Sequence, residues 1–211
     1  ASVGSLETKV FLIRHGITPW HDEGKVLGQR DIPMSAAGVA QAEAAAAALE
    51  GVQIADVITS PLQRAIQTAE IIGTRNRIEV ARDPRLTDFG LGEWTGKYYE
   101  EIADSPAYQQ FISDPLSESI PGGESLPEIR ERAVDAIEQA LQDSATGDAL
   151  AIVTHAGIIR VLLTHYLGSP AGNYHRLRVN PGSISVLSFA SVTELPRVLG
   201  VNYRPSLLEV L

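Results

Sequence analysis

In the stretch Val10-Phe11-Leu12-Ile13-Arg14-His15-Gly16, four apolar residues run without a break and end at an arginine, a histidine and a glycine. An unbroken apolar run of this length reads as a strand buried on both faces, hence a parallel strand covered by helices. In open α/β sheets, ligands bind just beyond the carboxyl ends of such strands. Arg14 and His15 stand at that end. The chain repeats the arrangement: Ala149-Leu150-Ala151-Ile152-Val153-Thr154 is a second buried strand, and His155-Ala156-Gly157 follows it.

Working outward, strands and helices alternate. The first strand is expected over Lys9 to Ile13. Ser35 is a good N-cap for an alanine-rich helix reaching Glu50, with Gly51 as its stop. Asp56 to Thr59 reads as a strand. Ser60-Pro61-Leu62-Gln63 then predicts a helix start, with Ser60 as N-cap, Pro61 in the first position and Gln63 closing a capping box. That helix carries Arg64 in its first turns and is expected to end near Gly73. A short strand is expected over Ile78 to Ala81. Glu124 to Leu141 spaces Ile129, Ala133, Ile137 and Leu141 on one face of a long helix. After the His155 strand, another helix is expected to reach Leu167 and stop at Gly168. Ser183 to Ala190 and Pro196 to Tyr203 read as an antiparallel edge pair.

This alternation predicts an α/β fold. The expectation is a three-layer sandwich with a mostly parallel central sheet, helices on both sides and an antiparallel edge. Arg82 to Pro127 holds Phe89, Trp94, Tyr98, Tyr99, Tyr108 and Phe111 among prolines and glycines. It is read as a lid of loops and short helices over the carboxyl ends of the strands. One domain is expected over 1–211, with 1–8 as a disordered lead-in.

The 211 residues can bury a full core, and 44% are apolar and 20% charged, as in an ordinary globular protein. No apolar run is long enough to cross a bilayer. Ala1 to Lys9 lacks a basic segment followed by an apolar one, so no secretory signal is read there. The absence of cysteine excludes disulfides and thiol chemistry and fits a cytoplasmic protein. A net charge of −9, with no run of Lys and Arg, argues against a nucleic-acid partner. Arginines beside the histidines would make a local positive pocket that suits a small anion. A metal is not expected, because arginines flank His15 and His155 and no ligand spacing is present.

Arg14, His15, Arg64, Asp88 and His155 are expected to converge. Phosphoryl transfer needs such a set. Neutral imidazole is a nucleophile near pH 7. Fixed cations stabilise the charge spread over the non-bridging oxygens. Two guanidiniums, a protonated His155 and the amides of Ala156 and Gly157 at a helix start could supply them. A carboxylic acid such as Asp88 could protonate the leaving oxygen.

These residues resemble the histidine phosphatase superfamily, also called phosphoglycerate-mutase-like. The resemblance runs from Val10 to about Leu187. It is carried by Phe11-Leu-Ile-Arg-His-Gly-Ile-Thr18, Gly28-Gln-Arg-Asp-Ile-Pro-Met-Ser35, Thr59-Ser-Pro-Leu-Gln-Arg-Ala-Ile-Gln-Thr-Ala69, Leu86-Thr-Asp-Phe-Gly-Leu-Gly-Glu-Trp-Thr-Gly96, Pro121-Gly-Gly-Glu-Ser125 and Val153-Thr-His-Ala-Gly157. It implies that His15 becomes a phosphohistidine, that Arg14, Arg64 and His155 grip the phosphate, and that Asp88 is the acid. Thr18, His21, Gln29, Ala156 and Gly157 are the expected substrate contacts.

Three positions depart from the family's pattern. Ile17 stands where glutamate is common, His21 where a phosphate-contacting asparagine is common, and Asp88 where the mutase-like branch uses glutamate. Glu93 is not read as the acid. The resemblance implies a phosphomonoester hydrolase acting on a small phosphorylated metabolite without metal or organic cofactor. A phosphoglycerate mutase and a weakly active regulatory protein on the same fold are the alternatives. Only 66 residues, 89–154, separate Asp88 from His155, which is short for a mutase. Oligomeric state is not readable.

Overall fold

The computed structural model describes residues 7–204. Six strands form one sheet in the order β3-β2-β4-β1-β5-β6. They are β1 (Thr8–Arg14), β2 (Ile54–Thr59), β3 (Val80–Arg82), β4 (Ala149–Thr154), β5 (Ile184–Phe189) and β6 (Arg197–Tyr203). The first four are mutually parallel. β5 runs antiparallel to β1, and β6 antiparallel to β5, which gives the expected edge pair.

Period-two alternation along the central strands builds two cores. Val10 and Leu12 of β1, with Leu150 and Ile152 of β4, face one side. There they meet Ile129, Ala133 and Ile137 of α6 (Leu126–Asp143) and Ile158 and Leu162 of α7 (Ala156–Tyr166). Ile13, Ala151 and Val153 face the other side. There they meet Ala45 and Ala46 of α2 (Ala36–Ala48) and Ala65, Ala69 and Ile72 of α3 (Gln63–Asn76). Every residue of β4 is buried, as a central parallel strand requires. Among the described residues, three short α-helices, α1 (Pro19–Asp22), α4 (Tyr99–Ala103) and α5 (Pro106–Ser113), and three 3-10 turns complete the set.

Small residues set how closely α2 approaches the loop after β1. A Cβ on Gly16 would lie 2.1 Å from the Gly38 carbonyl oxygen, and one on Gly38 would lie 2.1 Å from that of Ile17. The start of α2 therefore rests directly on the backbone that carries His15.

Several boundaries differ from the sequence reading. Thr8 is buried and opens β1, and the Glu7 carboxylate accepts a bond from the Ser188 hydroxyl. Both fall in the expected lead-in, whose first six residues lie outside the described ones. α3 starts at Gln63 with Leu62 before it, so Ser60 is not the N-cap and Gln63 closes no capping box. The Asp31 carboxylate accepts the Gln63 N–H at 2.6 Å instead. α3 also runs past Gly73 to Asn76, and Arg77 ends it in the left-handed region at φ 59°. α6 has the box the eye would seek: Ser125 accepts from the Glu128 N–H, and Glu128 accepts from the Ser125 N–H.

The irregular segment after β3 is tied over the carboxyl end of β4. The Thr154 hydroxyl donates to the Leu86 carbonyl at 2.7 Å, and the Phe89 ring lies against Gly157. Its aromatics mostly serve each other. Trp94 packs edge-on against Tyr108 and Phe111, and Tyr99 against Tyr108.

Candidate active site

Arg14 and His15 leave β1 at its carboxyl end, and His155 leaves β4 beside it, because Arg14 pairs with Thr154 in the parallel ladder. The His15 N–H donates to the Thr154 carbonyl at 3.2 Å, which locks the two turns together. The two imidazoles end with centroids 5.0 Å apart. Arg64 enters from the first turn of α3, beyond the end of β2. Asp88 enters from the irregular segment. Four elements thus bring together the five residues singled out from the sequence.

The His15 ring has a defined orientation. Its Nδ1 lies 2.7 Å from the Gly16 carbonyl oxygen. A carbonyl only accepts, so Nδ1 holds the proton and Nε2 carries the lone pair. That lone pair faces the Arg64 Nε at 3.3 Å. Burial holds the His15 pKa well below 6.5, and His155, Arg64 and Arg14 add to this. The ring is neutral across the physiological range, with its lone pair at Nε2.

Arg64 has a fully buried side chain. Its NH1 donates to the Arg30 carbonyl at 2.6 Å, and its NH2 to the Gly28 carbonyl at 2.7 Å and the Asp88 Oδ2 at 3.1 Å. Such a charge is tolerable in the interior because its donors are matched. Arg14 donates from NH1 to the Val179 carbonyl at 2.7 Å and from NH2 to the His21 Nε2 at 2.9 Å. Burial lowers its pKa to about 10, so it stays charged.

His155 is held by Ser60. Its Nε2 lies 2.7 Å from the Ser60 hydroxyl oxygen, while its Nδ1 is buried without a hydrogen bond and stands 3.5 Å from the Asp88 Oδ2. Burial, then Arg64 and Arg14, keep its pKa well below 6.5. Without a bound anion the ring is therefore held toward its neutral form, and the protonated His155 expected around a phosphate would need the anion's charge beside it.

The remaining expected contacts sort themselves by geometry. His21 Nε2 lies 2.9 Å from the Arg14 NH2, while its Nδ1 accepts the Thr18 N–H at 3.1 Å and lies 2.9 Å from the Thr18 hydroxyl. Burial and Arg14 lower the His21 pKa to about 4. Thr18 is itself fully buried and spends its hydroxyl on His21. Gln29 donates from its amide to the Asp88 backbone carbonyl at 3.1 Å, so it orients the loop that carries Asp88. Ala156 and Gly157 open α7, whose first-turn N–H groups have no carbonyl behind them. Glu93 is exposed.

Three residues outside the predicted set complete the arrangement. Ser60 was assigned to a helix cap and instead fixes His155. Arg132 on α6 makes a two-point ion pair with Glu124 at 2.8 and 2.9 Å. The same guanidinium donates to the carbonyls of Arg85, Thr87 and Asp88 at 2.7, 2.8 and 3.0 Å. Glu124 in turn accepts the Gly90 N–H at 2.6 Å. The pair clamps both flanks of Asp88. Glu124 lies in the quoted Pro121–Ser125 stretch, but an arginine on an amphipathic helix carries no signal of its own.

The profile of the histidine phosphatase superfamily, branch 1, matches residues 10–202. A phosphoglycerate mutase-like protein 4 from Arabidopsis thaliana is 36% identical over 159 residues, 73% of this chain and 69% of that one. Bacillus stearothermophilus YhfR is 27% identical, with a TM-score of 0.86 over 94% of this chain and all of that one. A mycobacterial glucosyl-3-phosphoglycerate phosphatase, solved with VO3, is 27% identical, with a TM-score of 0.81 over 92% of this chain and 98% of that one. A profile spanning both histidine turns, the Arg64 helix and the sheet between them makes this chain a member of the histidine phosphatase superfamily, branch 1.

Proposed function

We propose that the chain is a phosphomonoester hydrolase that works through a phosphohistidine on a small phosphorylated metabolite, without a metal. The observation that carries this is the His15 ring, whose Nδ1 proton is committed to Gly16 while its Nε2 lone pair faces Arg64 and the His155–Asp88 pair.

In the first step, His15 Nε2 attacks phosphorus in line, the P–O bond to the alcohol breaks, and Asp88 gives its proton to the leaving oxygen. Arg14, Arg64 and the first-turn amides of α7 stabilise the equatorial oxygens. In the second step, Asp88 takes a proton from water, the oxygen attacks phosphorus, and the N–P bond breaks. Asp88 is one methylene shorter than the glutamate of the mutase-like branch. Its reach is made up by its backbone, which Arg132 and Gln29 hold close to His155.

The test is phosphate release from p-nitrophenyl phosphate and 3-phosphoglycerate, with EDTA present and His15→Ala beside the wild type. Release that falls about 10³-fold or more in the variant is the expected result. Full activity in His15→Ala overturns the mechanism. The relative named as mutase-like keeps a second reading open: conversion of 3-phosphoglycerate to 2-phosphoglycerate without phosphate release identifies a mutase.

A further inference from the structure

Arg14 also lines a second cleft of about 390 Å³, together with Arg160, His175, Arg176, Arg178 and Asn180. The cleft opens at the same end of the sheet as His15. Arg160 lies one turn into α7, roughly 6 Å along the axis from Ala156 at 1.5 Å per residue. The 175–180 segment leads into β5, whose first residue, Ile184, pairs with Ile13 beside Arg14.

The charges here are uncompensated. Among the described residues, none of Arg14, Arg160, Arg176 and Arg178 has a carboxylate within 4.0 Å. Arg75, Arg85 and Arg132 elsewhere each have one. The Nε atoms of Arg14 and Arg160 are buried without a hydrogen bond. Among the described residues, the Arg178 side chain donates only to the Asn180 side chain, at 3.2 Å. Burial lowers the Arg160 pKa, with Tyr174 opposing this and the charge of Arg178 adding to it. Guanidiniums from β1, α7 and the 175–180 segment repel one another in a protein of net charge −9. Such a convergence, lined by unmatched donors, is suited to a planar or tetrahedral anion.

We propose that this cleft takes a second anionic group of the substrate, so that the substrate is a compact phosphomonoester bearing a carboxylate or a second phosphate. The inference rests on the reading of Arg14 and His15 as the phosphate site. Arg14 stands between the two positions and serves both. The short path from Ala156 to Arg160 limits the two anionic groups to a separation of a few bonds.

Binding is measured by titration calorimetry on His15→Ala, where no turnover interferes, with His15→Asn as a second background. Two ligand pairs are compared: 3-phosphoglycerate against glycerol 3-phosphate, and fructose 1,6-bisphosphate against fructose 6-phosphate. At least one doubly anionic ligand is expected to bind about tenfold or more tightly than its partner. That gap should shrink to about twofold when Arg176→Gln and Arg178→Gln are added. The pair that shows the gap tells carboxylate from phosphate. No gap in either pair, or a gap that survives the two substitutions, overturns the proposal. Wild-type hydrolysis of p-nitrophenyl phosphate is read separately. Its absence defeats the hydrolase reading, and the calorimetric gap still stands or falls alone.

Discussion

The two arginine groups that meet at Arg14 are built by opposite means. Arg64 is wholly buried, and backbone carbonyls of Gly28 and Arg30 fix both ends of its guanidinium. Arg176 and Arg178 are exposed, and among the described residues no backbone carbonyl accepts from either side chain. A buried, matched guanidinium is rigid and preorganised, which suits an identical phosphoryl group in every turnover. Exposed arginines keep their rotamers, which suits a group whose position varies with the substrate. On the proposed reading, such a contrast would hold the chemistry constant while leaving specificity adjustable.

The sharpest break of this contrast is at Arg64. Arg64→Ala leaves Asp88 and two buried carbonyls unmatched, at a cost of about 3–5 kcal/mol in stability. Arg64→Lys keeps a charge but not the fork, and kcat/KM should fall about 10²-fold or more. Denaturant unfolding and steady-state kinetics check both. Native-like stability in Arg64→Ala would mean that the cage is not preorganised by this residue.

Next in size is the clamp on Asp88. Arg132→Gln should lower kcat about tenfold or more while KM for p-nitrophenyl phosphate changes little, because the acid's loop loses three carbonyl bonds and the phosphate grip keeps its own. Restoration by Arg132→Lys is expected to be partial. A change confined to KM would contradict a positioning role.

Ser60→Ala comes after it. The buried His155 Nε2 loses its partner, which costs about 1–3 kcal/mol. kcat/KM should drop several-fold, and the acid limb of its pH profile should move. A profile that only scales, without moving, would give Ser60 a merely structural part.

The cage also predicts an acid-sensitive fold. The pKa values of His15, His21 and His155 are all depressed, first by burial. The unfolded chain binds their protons from about pH 6.5 downward, and the folded chain does not. Stability is therefore complete above pH 6.5 and falls as pH drops toward the folded values. The slope is at most about 1.4 kcal/mol per pH unit for each histidine. A melting temperature that stays level from pH 7 to pH 5 would falsify this. The cleft should show the smallest effect: Arg176→Gln with Arg178→Gln should shift stability by less than about 0.5 kcal/mol.

Much of this was readable from the chain because it depends on local pattern. Apolar runs that end in Arg14-His15-Gly16 and Thr154-His155-Ala156 mark parallel strands and the end of the sheet where the five singled-out residues gather. The unbroken apolar runs of β1 and β4 mark strands buried on both faces and so call for helices on each side. The helix facing them through Ile129, Ala133 and Ile137 was legible for the same reason. Ser60 was misread because its local context, Ser-Pro-Leu-Gln, has a capping pattern, while its partner His155 lies 95 positions away. Propensity acts over a few residues, and this bond does not.

Arg132 was invisible because a boundary arginine on an amphipathic helix looks like any solvated one. Its importance comes from a loop 44 to 47 positions earlier in the chain. The same holds for the basic cleft, since no run of Lys and Arg exists to announce it. Sequence thus carried the strands, the helices and the five residues that gather at one end of the sheet, all of which follow from short-range pattern. The tautomer of His15, the neutrality of His155 and the gathering of four arginines belong to packing, because each depends on groups that meet only when distant segments close around one end of the sheet.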